Sequence, residues 1–294
     1  MRIVRPVSLV HIVLMASIIG GGTAVVGVEA TPVGGWLGVI PALVIVGWGV
    51  RQPLRRWRAT RQPLPPAWRQ WLRGHVPLYA TSAAQGQTHF ERDVQIFVEE
   101  YSFEGVDGVA VTDELRLGVA AGAALLLHGR PDWELGGTSS ILFYPDAFDD
   151  QYFGGDYADF DGMAHEQGPV LLSARAVRES WDDPTDGSNV VLHELAHLFD
   201  FKNEGADGIP SLMDPASEGA WKKLVRREMR RIQQGRSVLR GYGATAPSEF
   251  FAVAVEVFFE QPVAMEAEHP ELFEALQSFF AIDPRGMQAE VEER

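Results

Sequence analysis

Two histidines four residues apart, His193 and His197, enclose Glu194 in the otherwise apolar stretch VVLHELAHLFD. On a helix, positions i and i+4 lie on one face, so both imidazoles can point at a single ion. Glu194 falls on the adjoining flank, within reach of a water on that ion. Two nitrogen ligands and a carboxylate that takes a proton from water, then hands it to a leaving amine, are the working parts of an HExxH zinc hydrolase. A core helix whose histidines bond carbonyl oxygens would carry the same pattern, but only the metal reading accounts for a charged residue between them.

A hydrolytic zinc ion needs a third protein ligand and one open position. With no cysteine in the chain, thiolate sites, disulfides and cysteine nucleophiles are excluded, leaving His, Asp and Glu. No histidine follows at the HExxHxxGxxH spacing, so a carboxylate is expected. Asp200 sits one turn past His197, but its short side chain would run along the helix axis, which makes it a support for a histidine or a nearby loop. Glu249 and Glu256 lie two turns apart on one face of APSEFFAVAVEVFFEQP. Carboxylates on so apolar a helix are costly to bury unless paired or metal-bound. Spacing does not choose between these two, nor does it exclude a solvent-facing stripe.

The elements that must position these groups are legible in outline. Asp186 and Ser188 are available as caps ahead of the histidine helix. The short apolar runs SSILFYPDAF and GPVLLS, bounded by Gly and Pro, read as strands, and the acidic, Gly-rich 146–167 segment reads as a long loop. WRQWLRGHVPLY, HFERDVQIFVEEYSF, ELRLGVAAGAALLLHG and WKKLVRREMRRIQQG read as helices. Pro247 and Pro262 mark the start and stop of the helix bearing Glu249 and Glu256. Strands and helices intermingle without regular βαβ alternation, so the expected class is α+β.

The front of the chain is of another kind. Residues 7–28 and 32–50 are apolar and free of formal charge, with His11 the only titratable side chain of the first, and each is near the length of a membrane-spanning helix. Arginines flank both outer ends and none lies in the connection VEATP, so the positive-inside rule expects a two-span hairpin with both ends in the cytoplasm. Glycines such as Gly20–Gly22 and Gly34–Gly35 suit close helix packing. A cleaved signal ending at VEA, or a buried helical pair, are the alternatives. Residues 1–61 carry a net charge of +6 and the rest −21, and so acidic a body argues against nucleic acid as a partner. The expected division is a hairpin with a basic flank over 1–61, a catalytic domain over 62–285 and an acidic tail over 286–294, at the cytoplasmic membrane.

NVVLHELAHLFD, NEGADGIP and YGATAPSEFFAVAVEVFFEQP, with ILFYPDAF and EQGPVLLS ahead of them, occur in an order that resembles the Mlc titration factor A family of bacterial zinc peptidases. The resemblance runs from about Leu64 to Arg285. It implies a zincin-like fold, one Zn2+ held by His193, His197 and Glu249, and Glu194 as general base. Glu256 then joins Asp200 as a supporting residue, and Tyr242 in YGA matches a family position from which a phenol could stabilise an oxyanion. The resemblance implies aminopeptidase-like hydrolysis of short peptides, with GPVLLS able to hold an extended peptide by edge pairing. The large aminopeptidases' GxMEN signature is absent from the sequence. Partners expected are a peptide substrate, membrane lipid through the hairpin and, by the resemblance, a transcriptional regulator. A non-catalytic, zinc-stabilised protein that sequesters such a regulator is the rival reading.

Overall fold

The computed structural model describes all residues except 5, 31–35, 37, 137–138, 148–160, 166–167, 201–207 and 289–294. They form two compact units, Arg2–Pro63 and Leu64 onward, the latter counting Met1.

In the first unit, α1 (Pro6–Ala30), α2 (Val39–Gly49) and α3 (Arg51–Ala59) follow one another. Within α1, Ser8–Val26 has a mean hydropathy of 2.1, and it is the one helix among the described residues long and apolar enough to cross a membrane. The second expected span corresponds to α2, which has 11 residues, about half of what a bilayer core requires. Part of its predicted start falls outside the described residues. The close packing expected of small residues is realised at Gly20, where an added Cβ would lie 2.9 Å from that of Ala42, but not at Gly21 and Gly22, which face open space. Gly34 and Gly35 are not among the described residues.

The second unit is helix-rich α+β. It opens with α4 (Pro66–His75), α5 (Pro77–Thr81) and α6 (Ala84–Glu100), then β1 (Ser102–Gly105), α7 (Asp113–Leu127) and β2 (Ser140–Tyr144). Next come β3 (Gly162–Met163), β4 (Val170–Ser173), α8 (Ala174–Asp182), α9 (Val190–Asp200) and α10 (Glu218–Gln233). A 3₁₀ turn over Gly241–Ala244 leads to α11 (Pro247–Glu260), α12 (Pro262–Glu268), α13 (Pro270–Phe280) and α14 (Arg285–Gln288).

The sheet runs β1-β2-β4-β3, with the first three strands parallel and β3 antiparallel to β4. Two expectations are corrected by these boundaries. WRQWLRGHVPLY is two helices, because Pro77 forces Val76 into an extended conformation. YSF does not continue α6: Ser102 and Phe103 open β1, which is held as a strand by its parallel pairing with β2 rather than by the propensity of Glu104 and Gly105.

α7, α9 and α11 form the centre of this unit. α7 is buried along nearly its whole length, which its composition of Ala, Leu and Gly permits. A Cβ on Gly122 would come within 2.6 Å of Val191 Cγ1, so the missing side chain lets α9 approach closely. α11 contributes Phe250, Phe251 and Phe258, all fully buried, each worth roughly 1.5–3 kcal/mol of burial. The histidine helix is thus wedged between a small-residue helix and an aromatic one.

Candidate metal centre

α9 starts at Val190 because Asn189, immediately before it, caps the helix: its Oδ1 accepts from Leu192 N at 3.0 Å. The caps expected from sequence, Asp186 and Ser188, lie too early; Asp186 instead accepts from Ser188 N in the preceding turn, at 2.7 Å. From this start, His193, Glu194 and His197 fall on the buried side, each less than a tenth exposed.

α11 brings Glu249 from the opposite side. Its Oε2 lies 3.1 Å from His193 Nε2 and 3.6 Å from His197 Nε2. One donor atom from each of the three residues lies within 4.8 Å of the others, a group able to hold a metal ion. The second face of His193 fits the same purpose. Its Nδ1 is 2.8 Å from Glu256 Oε1, and since a carboxylate only accepts, Nδ1 carries the hydrogen and Nε2 presents its lone pair to the cluster. Without an ion, His193 faces acceptors at both nitrogens. Burial opposes its charge, but the hydrogen bonds to Glu249 and Glu256 prevail and push it up to about 10. Burial likewise raises the Glu249 carboxyl, and the bonds to His193 and His197 outweigh it, holding Glu249 far below the ordinary carboxylate range. A proton therefore stands where a cation fits.

Glu256 is 1% exposed and fully engaged. Arg240 Nη2 donates to its two oxygens at 2.6 and 2.7 Å, and Asn189 N donates to Oε2 at 2.6 Å. One turn on, Glu260 accepts from Gly187 N, Ser188 N and Asn189 Nδ2 at 3.0–3.1 Å. Two α11 carboxyl groups thus bind the start of α9; burial pushes that of Glu260 up to about 8, with its bonds to Asn189 and Ser188 opposing. Sequence reasoning missed Arg240, Asn189 and Glu260; the i, i+4 spacing of Glu256 and Glu260 on an apolar helix was the available signal.

Glu194 lies against the sheet edge, near enough to His193, His197 and Glu249 for their charges to act on it. Burial raises its carboxyl, with the imidazoles of His193 and His197 opposing. Gly162, in β3, lies directly against it: a Cβ there would be 2.5 Å from Glu194 Cγ and 2.6 Å from Oε1. β3 pairs Gly162 with Leu172 and Met163 with Leu171, so it covers the edge of β4. The edge expected at GPVLLS accordingly belongs to β3, a strand too short to show any period in the sequence.

Tyr242 sits beside the cluster, its ring 5.9 Å from that of His193. Its phenol is pushed up to about 12, first by burial and then by the charges of Glu249 and Glu194, so it remains a hydrogen-bond donor at neutral pH. Asp200 is not in the cluster. Fully buried, it accepts from Gly208 N at 2.9 Å. Gly208, at φ +75°, abuts Pro247 at the start of α11, so Asp200 ties the end of α9 to the helix that carries Glu249.

Comparison with known proteins gives the geometry a context. The family described as glucose-regulated metallo-peptidase M90 matches residues 51–281. The chain is 29% identical over 275 residues to an uncharacterised protein of Synechocystis sp., covering 84% of this chain and 96% of that one. It is 28% identical to Mlc titration factor A of Yersinia enterocolitica, over 78% of this chain and 90% of that protein. The Serratia proteamaculans protein of the same name is also 28% identical, over 78% and 92%.

Proposed function

Because the chain belongs to the glucose-regulated metallo-peptidase M90 family, we propose that it is a zinc-dependent peptidase of zincin-like fold, acting on short peptides in an aminopeptidase-like manner. The observation that carries this reading is the convergence of His193, His197 and Glu249, with Glu256 bonded behind His193. His193, His197 and Glu249 would hold the ion. When bound, zinc supplies Lewis-acid polarisation of the scissile carbonyl and of the attacking water.

The remaining chemistry falls to the chain's own groups. Glu194, buried and with a raised pKa, accepts the proton of the attacking water and returns it to the leaving amine. Tyr242 donates its phenolic hydrogen to the oxygen that gains negative charge. Glu256, fixed by Arg240 and the start of α9, keeps the His193 ring oriented and its Nδ1 protonated. The β3 edge beside Glu194 offers main-chain groups to an extended peptide. The apolar α1 and the arginines around the hairpin support a membrane tether with the catalytic unit on the cytoplasmic side.

Glu194→Gln tests this assignment: zinc content by elemental analysis should stay at the parental level while peptide hydrolysis is lost. Hydrolysis at the parental rate would remove Glu194 from the chemistry. The name Mlc titration factor A, borne by relatives, favours a second reading in which the domain binds a transcriptional regulator and zinc only stabilises it. Under that reading purified protein retains the partner but shows no chelator-sensitive turnover.

A further inference from the structure

At the basic end of the first unit, α1, α2 and α3 enclose an open apolar cleft of about 470 Å3, within the size range of small-ligand pockets. Val4, Leu9 and Ile12 line one side; Gly49, Leu54 and Trp57 line the other. Leu9, Leu54 and Trp57 are each more than two-fifths exposed. Gly49 shapes the floor, since a Cβ there would lie 2.5 Å from Ile12 Cδ1. Arg56, 2% exposed, donates through Nη1 to Arg2 O at 2.7 Å and holds the chain start against α3.

The rim of the cleft is cationic. Arg51, Arg55 and Arg58 are exposed and recur at i, i+4 and i+7, so they form one stripe of α3 bordering the Leu54–Trp57 face. Arg61 lies over the Trp57 ring, 4.6 Å from its centroid, extending the stripe past the helix end. No acidic residue occurs between Ala30 and Phe90, so the segment that carries the stripe is of one sign in sequence. An amphipathic helix with an indole on its apolar face and arginines on its polar face suits the headgroup boundary of a bilayer.

We propose that this cleft binds an anionic glycerophospholipid, one acyl chain lying along Leu9, Ile12, Leu54 and Trp57 and the phosphate held by Arg51, Arg55 and Arg58. A zwitterionic lipid would bring its own cation to the stripe, and a protein helix would have to be both acidic and strongly apolar. The site rests on the membrane-tether reading, and carbonate extraction of cell membranes tests that reading by itself.

The test uses the full chain in nonionic-detergent micelles doped with equal phosphatidylglycerol and phosphatidylcholine, examined by native mass spectrometry, with glycerol 3-phosphate as the headgroup alone. Phosphatidylglycerol adducts should exceed phosphatidylcholine adducts at least tenfold, and glycerol 3-phosphate should not bind. A combined Arg51→Gln, Arg55→Gln, Arg58→Gln variant should lower phosphatidylglycerol affinity to the phosphatidylcholine level, leave phosphatidylcholine unchanged and keep its helical circular dichroism. Equal adducts of the two lipids, or selectivity surviving in the variant, would overturn the site while leaving the tether standing. Binding of glycerol 3-phosphate as tight as the lipid, or an arginine-dependent dimer without lipid, would overturn it as well.

Discussion

Gly162 is the most exacting point at which to perturb the centre. Gly162→Ala adds one carbon, which would sit 2.5 Å from Glu194 Cγ, some 0.9 Å inside the 3.4 Å where ordinary contact begins. Glu194 is 5% exposed and cannot swing into solvent, so either its carboxylate moves by most of that distance or β3 parts from β4. A displacement near 1 Å of a group that must meet a reacting proton costs on the order of 10²-fold in rate, about 2.7 kcal/mol of barrier. The three atoms nearest the new carbon all belong to Glu194 and none to His193, His197 or Glu249, so bound metal should persist. Steady-state hydrolysis of a fluorogenic peptide, with metal content measured on the same sample, should give a kcat reduced about a hundredfold at unchanged metal stoichiometry. If kcat stays within about twofold of the parent while Glu194→Gln is inactive, the placement of Glu194 against β3 is not the working one and the argument fails.

Glu256→Gln should weaken metal binding by about 10- to 100-fold, because the amide cannot restore the charge that holds His193 Nδ1–H and Arg240 together; chelator competition measures it, and unchanged affinity would deny Glu256 its positioning role. The ion-free protein should also show a characteristic pH response. His193 is raised from 6.5 to about 10, so the stability its ion pairs contribute is fully present below pH 6.5 and is lost as pH rises through about 10. In the loaded protein the metal stands in for that proton, so the gap in melting temperature between loaded and chelated samples should widen from pH 6.5 to 10; a constant gap would contradict the assignment.

Much of this was legible in the sequence where period and punctuation agree. The histidine helix and the helix between Pro247 and Pro262 lie where spacing and proline chemistry put them, and β2 and β4 occupy the predicted apolar runs. What escaped notice depends on contacts distant in sequence. β3 is two residues long and exists only because β4 offers it hydrogen bonds. Arg240 resembles any other arginine of a basic stretch until the fold sets it against Glu256. Asn189 could not be preferred over Asp186 and Ser188 as a cap without knowing the first helical residue. The choice of Glu249 over Glu256 came from family resemblance, and the structure gives it a physical correlate: Glu249 faces both histidines, whereas Glu256 meets one from behind.

The glycine of α7 that admits Val191 has a reach beyond packing. It sets how closely α9 approaches α7, while Glu249 is presented to the histidines by α11. The aperture of the donor group is therefore a thickness measurement, taken across three helices and calibrated by a hydrogen atom at Gly122. Bulk added there would press on α9 from α7, which carries none of the three donors, and reappear as a change in their spacing.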